Sequence, residues 1–177
     1  EQVVNLPLVD LLLPILKKNA LEELVYSAVE MGAHRIFLLH TAKISRSWGG
    51  LHELERLKHI MRAAAEQSKN FLLAQINPPV PLTSEILSQA KTEGVGIFFD
   101  VAGMPAYDIF TDPSVRAANR VALLVGPEAD LDLKEKELVR KAGFISCLLT
   151  PTVLRAQQAG ALGLGMAKAL LPLRVAV

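Results

Sequence analysis

Six short apolar runs alternate with longer amphipathic stretches along the chain, and few folds are compatible with that rhythm. The apolar runs cover 9–16, 35–40, 71–76, 96–101, 120–126 and 144–149. Helical spacing of apolar residues predicts helices over about 20–32, 51–69, 83–93, 133–142 and 151–170. Strands that alternate with helices form parallel sheets with helices on both faces. The sequence therefore predicts an α/β protein with a mainly parallel sheet.

The composition agrees with strands that are buried on both faces. Hydrophobic residues make up 51% of the 177 residues and aromatic residues only 5%, so we expect an aliphatic core. An apolar content this high also favours an apolar contact surface between subunits. A chain of this length can bury its core as one unit, and we therefore expect a single domain over residues 1–177.

Charge and cysteine content narrow the class of partner and the compartment. Nineteen Lys and Arg residues oppose eighteen Asp and Glu residues, a net charge of +1, so any contact with RNA is expected to be local. The lone Cys147 lies in the apolar run 144–149, which predicts a buried thiol and agrees with a reducing cytoplasm. We find no apolar run of about eighteen residues and no signal-peptide pattern, so we expect a cytoplasmic protein without a membrane span.

Two helix ends are predicted from local signals. Gly32 follows an apolar face of helical spacing and is expected to cap the C-terminus of the helix at 20–32. Thr150 and Pro151 combine a capping hydroxyl with a proline suited to the first helical position, which predicts that the last helix begins there.

The helix predicted at 51–69 carries basic residues opposite its apolar face. Two interpretations stay open for them: contact with RNA phosphates, or a solvated face with local ion pairs. The second is favoured because Glu55 and Glu66 are spaced for i,i+4 pairs with His59 and Arg62.

Metal and nucleotide motifs are missing from the sequence. The four histidines form no close ligand pair and the single cysteine has no second thiolate beside it, so no metal site is expected. There is no Walker loop, no GxGxxG turn after a strand and no GxSxG elbow. The glycines at 160, 163 and 165 lie within a predicted helix, where close packing is favoured over phosphate binding.

Four segments, in order along the chain, carry a more specific signal. A strand leads into the tripeptide GPE at 126–128, and the next strand leads into LTPTVLR at 149–155. The segment KHIMRAAAEQS lies at 58–68, and the opening stretch 12–47 contains EMG at 30–32 and SRS at 45–47. In this combination the chain resembles the RsmE-like 16S rRNA uridine-N3 methyltransferase family of the SPOUT superfamily.

The resemblance implies an architecture and an activity. It implies a SPOUT, or α/β-knot, methyltransferase fold with a deep C-terminal trefoil knot at about residues 95–170, and a homodimer. It implies S-adenosylmethionine as methyl donor and N3 of a uridine in 16S rRNA as acceptor, with ribosomal RNA or the small ribosomal subunit as partner. Family members carry an RNA-binding β-barrel ahead of this domain, and we expect no such barrel within the 177 residues.

The resemblance also assigns roles to individual residues. Arg155 and Glu128 are expected at the chemistry, although a surface position for Arg155 and a capping or loop-tying role for Glu128 stay open. Residues expected to bind the donor are Val101, Ala102, Leu124, Gly126, Pro127, Glu128, Leu149, Thr150, Val153 and Leu154. Residues expected to contact RNA are Lys17, Arg46, Arg62 and Lys69.

Several positions depart from the family pattern and support an alternative. Ala129 and Asp130 replace a Gly-Gly pair, and where such a position needs positive φ alanine costs about 1 kcal/mol while aspartate is tolerated better. Thr152 replaces an arginine and Gln157 a glutamate. Thr150 stands in place of a glycine, and Lys69-Asn70 in place of an arginine. The alternative hypothesis is a knotted, dimeric scaffold or RNA-interaction module with weak or no catalysis.

Overall fold

The computed structural model describes residues 4–5, 7–44, 46–172 and 174–175. The strands are β1 Val4–Asn5, β2 Leu8–Pro14, β3 Arg35–His40, β4 Gln75–Ile76, β5 Val80–Pro81, β6 Val95–Pro105, β7 Arg120–Leu124, β8 Phe144–Leu148 and β9 Arg174–Val175. The helices are α1 Lys18–Glu30, α2 Gly50–Ser68, α3 Ser84–Lys91, α4 Ala106–Thr111, α5 Pro113–Arg116, α6 Leu133–Lys141 and α7 Ala156–Leu170.

The main sheet is parallel, as the strand–helix alternation predicts. Its strand order is β4-β3-β2-β7-β6-β8. Strand β5 is not part of this order and pairs with the last two residues of β3, Leu39 and His40. Leu11 of β2 pairs with Ile36 of β3 on one side and with Leu123 of β7 on the other. Strand β7 thus lies between β2 and β6, so the direction in which strands are added reverses within the sheet. A separate antiparallel pair joins β1 and β9.

Successive residues of β2 pack on opposite faces of the sheet, which explains why Leu11, Leu12 and Leu13 are all apolar. Leu11 and Leu13 belong to the core beneath α1, α2 and α7, whereas Leu12 belongs to the core beneath α3 and α6. All three side chains are fully buried. Burial on both faces is the reason that a parallel strand lacks an alternating pattern.

A buried charge cluster joins residues near the starts of three neighbouring strands. The Asp10 side chain is fully buried and accepts hydrogen bonds from Arg35 Nε at 3.1 Å, Arg35 Nη2 at 2.7 Å and Arg120 Nη1 at 2.5 Å. His34 Nδ1 lies 3.0 Å from Asp10 Oδ1. Burial alone would raise the pKa of Asp10, but these hydrogen bonds outweigh it and hold the pKa below its ordinary value of 3.8.

One predicted strand is much shorter in the structure. The predicted strand 71–76 is reduced to Gln75–Ile76, and Phe71 is 94% exposed. Lys69 ends α2 with a left-handed φ of 55°, and the Asn70 side chain donates to Val29 O and accepts from Leu72 N, so these residues form a turn instead.

The last helix begins later than its sequence signal predicts. Helix α7 starts at Ala156, with Arg155 as the extended residue before it, so the predicted start at Thr150 and Pro151 is wrong. The Thr150 hydroxyl donates to Thr152 O at 2.7 Å, which stabilises a turn and leaves no cap for a helix. Short helices α4 and α5 were not predicted, although Asp112 before Pro113 is a capping signal at the start of α5.

Other local predictions are confirmed. Gly32 adopts φ +75° directly after the end of α1. Cys147 is fully buried, and burial raises its pKa to about 11. Gly160 packs on Leu24, where an added Cβ would meet Leu24 Cδ1 at 2.9 Å. Apart from these predictions, no helix among the described residues is long and apolar enough to cross a membrane.

Candidate functional site

A cavity of about 510 Å³ opens where β6, β7 and β8 end. In parallel sheets, ligands bind beyond the carboxyl ends of strands, at the point where the strand order reverses. The first turn of α7 closes one side of the cavity. Its wall consists of Phe99, Asp100, Val101, Val125, Gly126, Pro127, Glu128, Asp130, Cys147, Leu148, Leu149, Thr150, Thr152, Val153, Leu154, Arg155, Ala156 and Ala159.

The loop after β7 forms a tight turn on one wall. Asp130 N donates to Pro127 O at 2.9 Å, and Asp130 adopts a left-handed φ of 61°. Its side chain accepts from Leu131 N at 2.8 Å, which supports that conformation. Ala129 is not among the residues with positive φ. Of the two positions that replace Gly-Gly, the strained one thus carries the residue that tolerates the strain better.

A segment of β6 forms a neighbouring part of the wall. Phe99 and Met104 both pair with Cys147 of β8, so the residues between them project out of the regular ladder. Asp100 Oδ1 accepts from Ala102 N at 2.9 Å within that segment. Gly103 passes against the β8 backbone, where an added Cβ would lie 2.5 Å from Ser146 C. Only glycine permits this approach without displacing one strand.

The charged side chains on the wall fall into two groups. Asp100 and Asp130 are both bound by Lys136 Nζ, at 2.8 and 2.6 Å. Glu128 and Arg155 are exposed, and within the part of the chain that the structure describes no hydrogen-bond or ion-pair partner is found for either. Glu128 and Arg155 are therefore the charged groups available to a ligand in the cavity.

Most residues that the resemblance assigns to the donor site meet at this cavity. The wall contains Val101, Gly126, Pro127, Glu128, Leu149, Thr150, Val153, Leu154 and Arg155. Leu124 is fully buried in the core beneath α3 and α6, one residue before the wall begins. Ala102 is exposed and lies outside the wall. Glu128 has no capping role, because Asp132 and Glu135 form the capping box of α6.

The four residues assigned to RNA contact have different surroundings. Lys17 is exposed directly before α1, and Lys69 is exposed at the end of α2. Arg46 is occupied internally: it donates to Leu16 O at 2.7 Å and forms an ion pair with the buried Glu53. Arg46 therefore fixes the chain that leads into α2, and Ser45 of the same motif lies outside the described residues.

The exposed face of α2 does carry local pairs, but with partners other than those predicted. Glu55 pairs with Lys58 at 2.8 Å instead of with His59. Arg62 Nη2 lies 3.0 Å from His59 Nδ1, and no pair with Glu66 is formed. Pairs at i,i+3 can form in place of the predicted i,i+4 pairs because the side chains of both kinds of neighbour lie equally close on a helix surface.

Sequence reasoning missed part of the wall and the lysine behind it. Phe99 and Asp100 lie within the predicted strand 96–101, and the apolar pattern that predicts this strand does not show which of its residues line a cavity. A carboxylate at the end of an apolar run was the one available signal for Asp100. Nothing in the sequence indicated Lys136, because its partners lie six and thirty-six residues away in the chain. No cluster of metal-ligating residues occurs in the described ranges.

Comparison with known proteins places the chain among RNA-modifying proteins. The family model described as RNA methyltransferase domain matches residues 4–168. The chain is 29% identical over 151 residues to "Ribosomal RNA small subunit methyltransferase E" of Mesomycoplasma hyopneumoniae, covering 84% of this chain and 64% of that protein. It is 31% identical over 156 residues to the protein of the same name from Mycobacterium bovis, covering 84% and 58%. The chain thus spans less than two thirds of these relatives.

Solved structures share the fold. A ribosomal RNA small subunit methyltransferase E from Neisseria gonorrhoeae, bound to S-adenosyl methionine, superposes with a TM-score of 0.83 at 20% identity and covers 94% of this chain and 67% of that one. At this identity the likeness concerns the fold alone. The α/β architecture with its mainly parallel sheet is therefore that of known methyltransferases.

Proposed function

The chain belongs to the RNA methyltransferase domain family, and from this premise we propose that it transfers a methyl group from S-adenosylmethionine to a uridine of small-subunit ribosomal RNA, at N3. The observation that carries the proposal is the cavity at the ends of β6, β7 and β8, with Glu128 and Arg155 free on its wall. The names of the relatives support ribosomal RNA as the substrate class.

The cavity fits a donor of this kind. Its volume of about 510 Å³ lies in the range of small-molecule sites. Phe99, Val125, Leu149 and Leu154 supply apolar surface, and the loops after β7 and β8 supply backbone amide and carbonyl groups that can read an adenine. When bound, the sulfonium of the donor supplies an electrophilic methyl group.

The charged residues of this chain act on the acceptor. A new bond from N3 to the methyl carbon forms as the bond from that carbon to sulfur breaks, and the N3 proton must leave. In this proposal Glu128 takes up or relays this proton, and the Arg155 guanidinium stabilises negative charge that develops on the base. Holding the two reactants in line supplies much of the rate.

Calorimetric titration of S-adenosylmethionine and S-adenosylhomocysteine into the purified chain tests donor binding. We expect saturable binding and a melting temperature that rises with donor concentration. Tritiated methyl transfer into unmethylated small ribosomal subunits, followed by identification of the modified base, tests the acceptor. A chain that shows no binding at millimolar donor contradicts the proposal.

That outcome would favour the scaffold as the second candidate function. Thr152 on the cavity wall is the observation behind it, because this position carries an arginine in the family pattern. Among the described wall residues, Arg155 alone is basic, so the missing arginine is not replaced. A scaffold of this kind would bind RNA or small subunits without binding the donor.

Four further features belong to the proposal. We propose a homodimer, supported by exposed apolar side chains beside the cavity: Val101 is 62%, Met104 55% and Tyr107 73% exposed. Sedimentation at micromolar concentration should give about twice the mass of one chain. A cytoplasmic location follows from ribosomal RNA as substrate. The trefoil knot at about 95–170 and the single domain over 1–177 stay predictions.

A further inference from the structure

Three charged side chains, Asp100, Asp130 and Lys136, form one bonded group at the edge of the cavity, which we call the loop lock. Lys136 Nζ lies 2.8 Å from Asp100 Oδ2 and 2.6 Å from Asp130 Oδ2. Asp100 comes from the projecting segment of β6, Asp130 from the turn after β7, and Lys136 from α6. One ammonium group therefore joins two neighbouring segments of the cavity wall.

The two carboxylates are held in the same way. Each uses Oδ1 to accept a backbone amide of its own loop, Ala102 N for Asp100 and Leu131 N for Asp130. Each therefore presents Oδ2 to Lys136. A movement of the ammonium group would be transmitted directly to both loops, because each carboxylate is already tied to its own backbone.

The lock differs from an ordinary surface ion pair in its burial. The side chain of Asp100 is only 10% exposed and that of Lys136 30%, whereas Asp130 is 57% exposed. Lys136 Nζ also lies 6.0 Å from the centre of the Phe98 ring. Burial alone would lower the pKa of Lys136, but the bonds to both carboxylates raise it, so the group stays charged at neutral pH. Exposed pairs contribute little to stability, but a largely buried carboxylate depends on its partner.

We propose that Lys136 is a positioning residue for the methyl donor, which fixes the β6 segment and the turn after β7 relative to each other on the cavity wall without touching the reacting atoms. The inference rests on the proposed function, since it assigns the donor to this cavity. A site whose walls are already ordered loses less conformational freedom when its ligand binds. The lock also gives Asp130 a role beyond its backbone conformation.

The test compares three variants of the full chain by calorimetric titration of S-adenosylmethionine. Lys136→Met removes the charge and keeps the length of the side chain, and its Kd for the donor should rise about tenfold. Lys136→Arg can bridge two carboxylates, and its Kd should stay within about twofold of the wild type. Lys134→Met is the matched control, because this exposed lysine of α6 lies outside the cavity wall, and its Kd should be unchanged.

A double-mutant cycle separates positioning through the carboxylates from a general loss of packing. In an Asp100→Asn/Asp130→Asn background, Lys136→Met should cause no further rise of Kd. In methyl-transfer assays the KM for the donor should rise in Lys136→Met while kcat changes little.

Each result decides between the proposals. Donor binding by the wild type together with an unchanged Kd in Lys136→Met overturns the lock and leaves the proposed function intact. A tenfold rise that persists in the double-Asn background overturns the lock as well, since the lysine would then act by another route. A wild type that does not bind the donor overturns both.

Discussion

The outer end of the Phe99 ring packs against Gly163, so closely that a Cβ at position 163 would lie 2.5 Å from Phe99 Cε2. Phe99 is part of the cavity wall, and Gly163 lies in the middle of α7. The contact therefore fixes the distance between α7 and β6 at the point where the donor is proposed to bind.

Gly163→Ala should displace the Phe99 ring or α7. We expect the free energy of unfolding to fall by about 1–3 kcal/mol through overpacking, despite the better helix propensity of alanine. Gly165→Ala is the control on the same helix, because an added Cβ would meet only the flexible Met31 Sδ at 3.4 Å. Urea denaturation should show Gly165→Ala equal to or more stable than the wild type, and equal destabilisation of both variants would contradict the packing argument.

Asp10→Asn should destabilise the fold through the buried cluster at the start of β2. Arg35 and Arg120 would lose the negative charge that they share, at a cost of about 3 kcal/mol at neutral pH. Glu55→Gln, on the exposed face of α2, is the control and should leave the melting temperature nearly unchanged.

The same variant has a defined pH dependence. The pKa of Asp10 in the folded protein lies below its ordinary value of 3.8, so the stabilisation by the charged carboxylate is complete above that value and is lost as the pH falls through the folded-state pKa. The stability difference between wild type and Asp10→Asn, from urea denaturation, should therefore shrink in acid. A difference that stays constant down to about pH 3 would show that charge is not its source.

Position 130 should tolerate glycine better than alanine, because its φ is 61°. Asp130→Gly should be more stable than Asp130→Ala by about 1 kcal/mol, although both lose the ion pair with Lys136. Ala129→Gly should gain nothing, since residue 129 has no positive φ. Thermal denaturation of the three variants measures this order, and a stabilised Ala129→Gly would place the strain one residue earlier.

Arg155→Ala should separate donor binding from methyl transfer. The guanidinium has no partner among the described residues and lies at the cavity mouth before α7, so its loss should leave the Kd for S-adenosylmethionine within about twofold. Tritiated methyl transfer to unmethylated small subunits should fall by a factor on the order of 10², comparable with the loss of one oriented donor group. Arg140→Ala, an exposed arginine of α6, is the control. Equal transfer by wild type and Arg155→Ala would remove Arg155 from the site.

Local patterns determined the elements of this fold wherever a single segment carried the information. The strand at 35–40 was predicted at its observed bounds, and Gly32 was identified as a helix end, because burial on both faces and a left-handed turn leave marks within a few neighbouring residues. The motifs at 126–128 and 149–155 likewise placed Glu128 and Arg155 at one site.

Predictions were wrong where the predicted signal competed with another interaction, a local turn in one case and a contact from elsewhere in the chain in the other. Thr150 and Pro151 have the composition of a helix start, but the Thr150 hydroxyl binds Thr152 O and the chain turns along the cavity before α7 begins. The apolar residues at 71 and 72 have strand propensity, but the Asn70 bond to α1 holds them in an exposed turn.

The sequence by itself thus determined the class of fold, the order of its longer strands and helices, and two of the loops that form the cavity. Only the tertiary structure decided that β7 lies between β2 and β6, which brings Asp100 and Asp130 close together on the cavity wall, and that Lys136 joins them. The physical reason is the range of the interactions. Periodicity and capping act within one or two helical turns, whereas an ion pair between three segments depends on strand order, which no local pattern encodes.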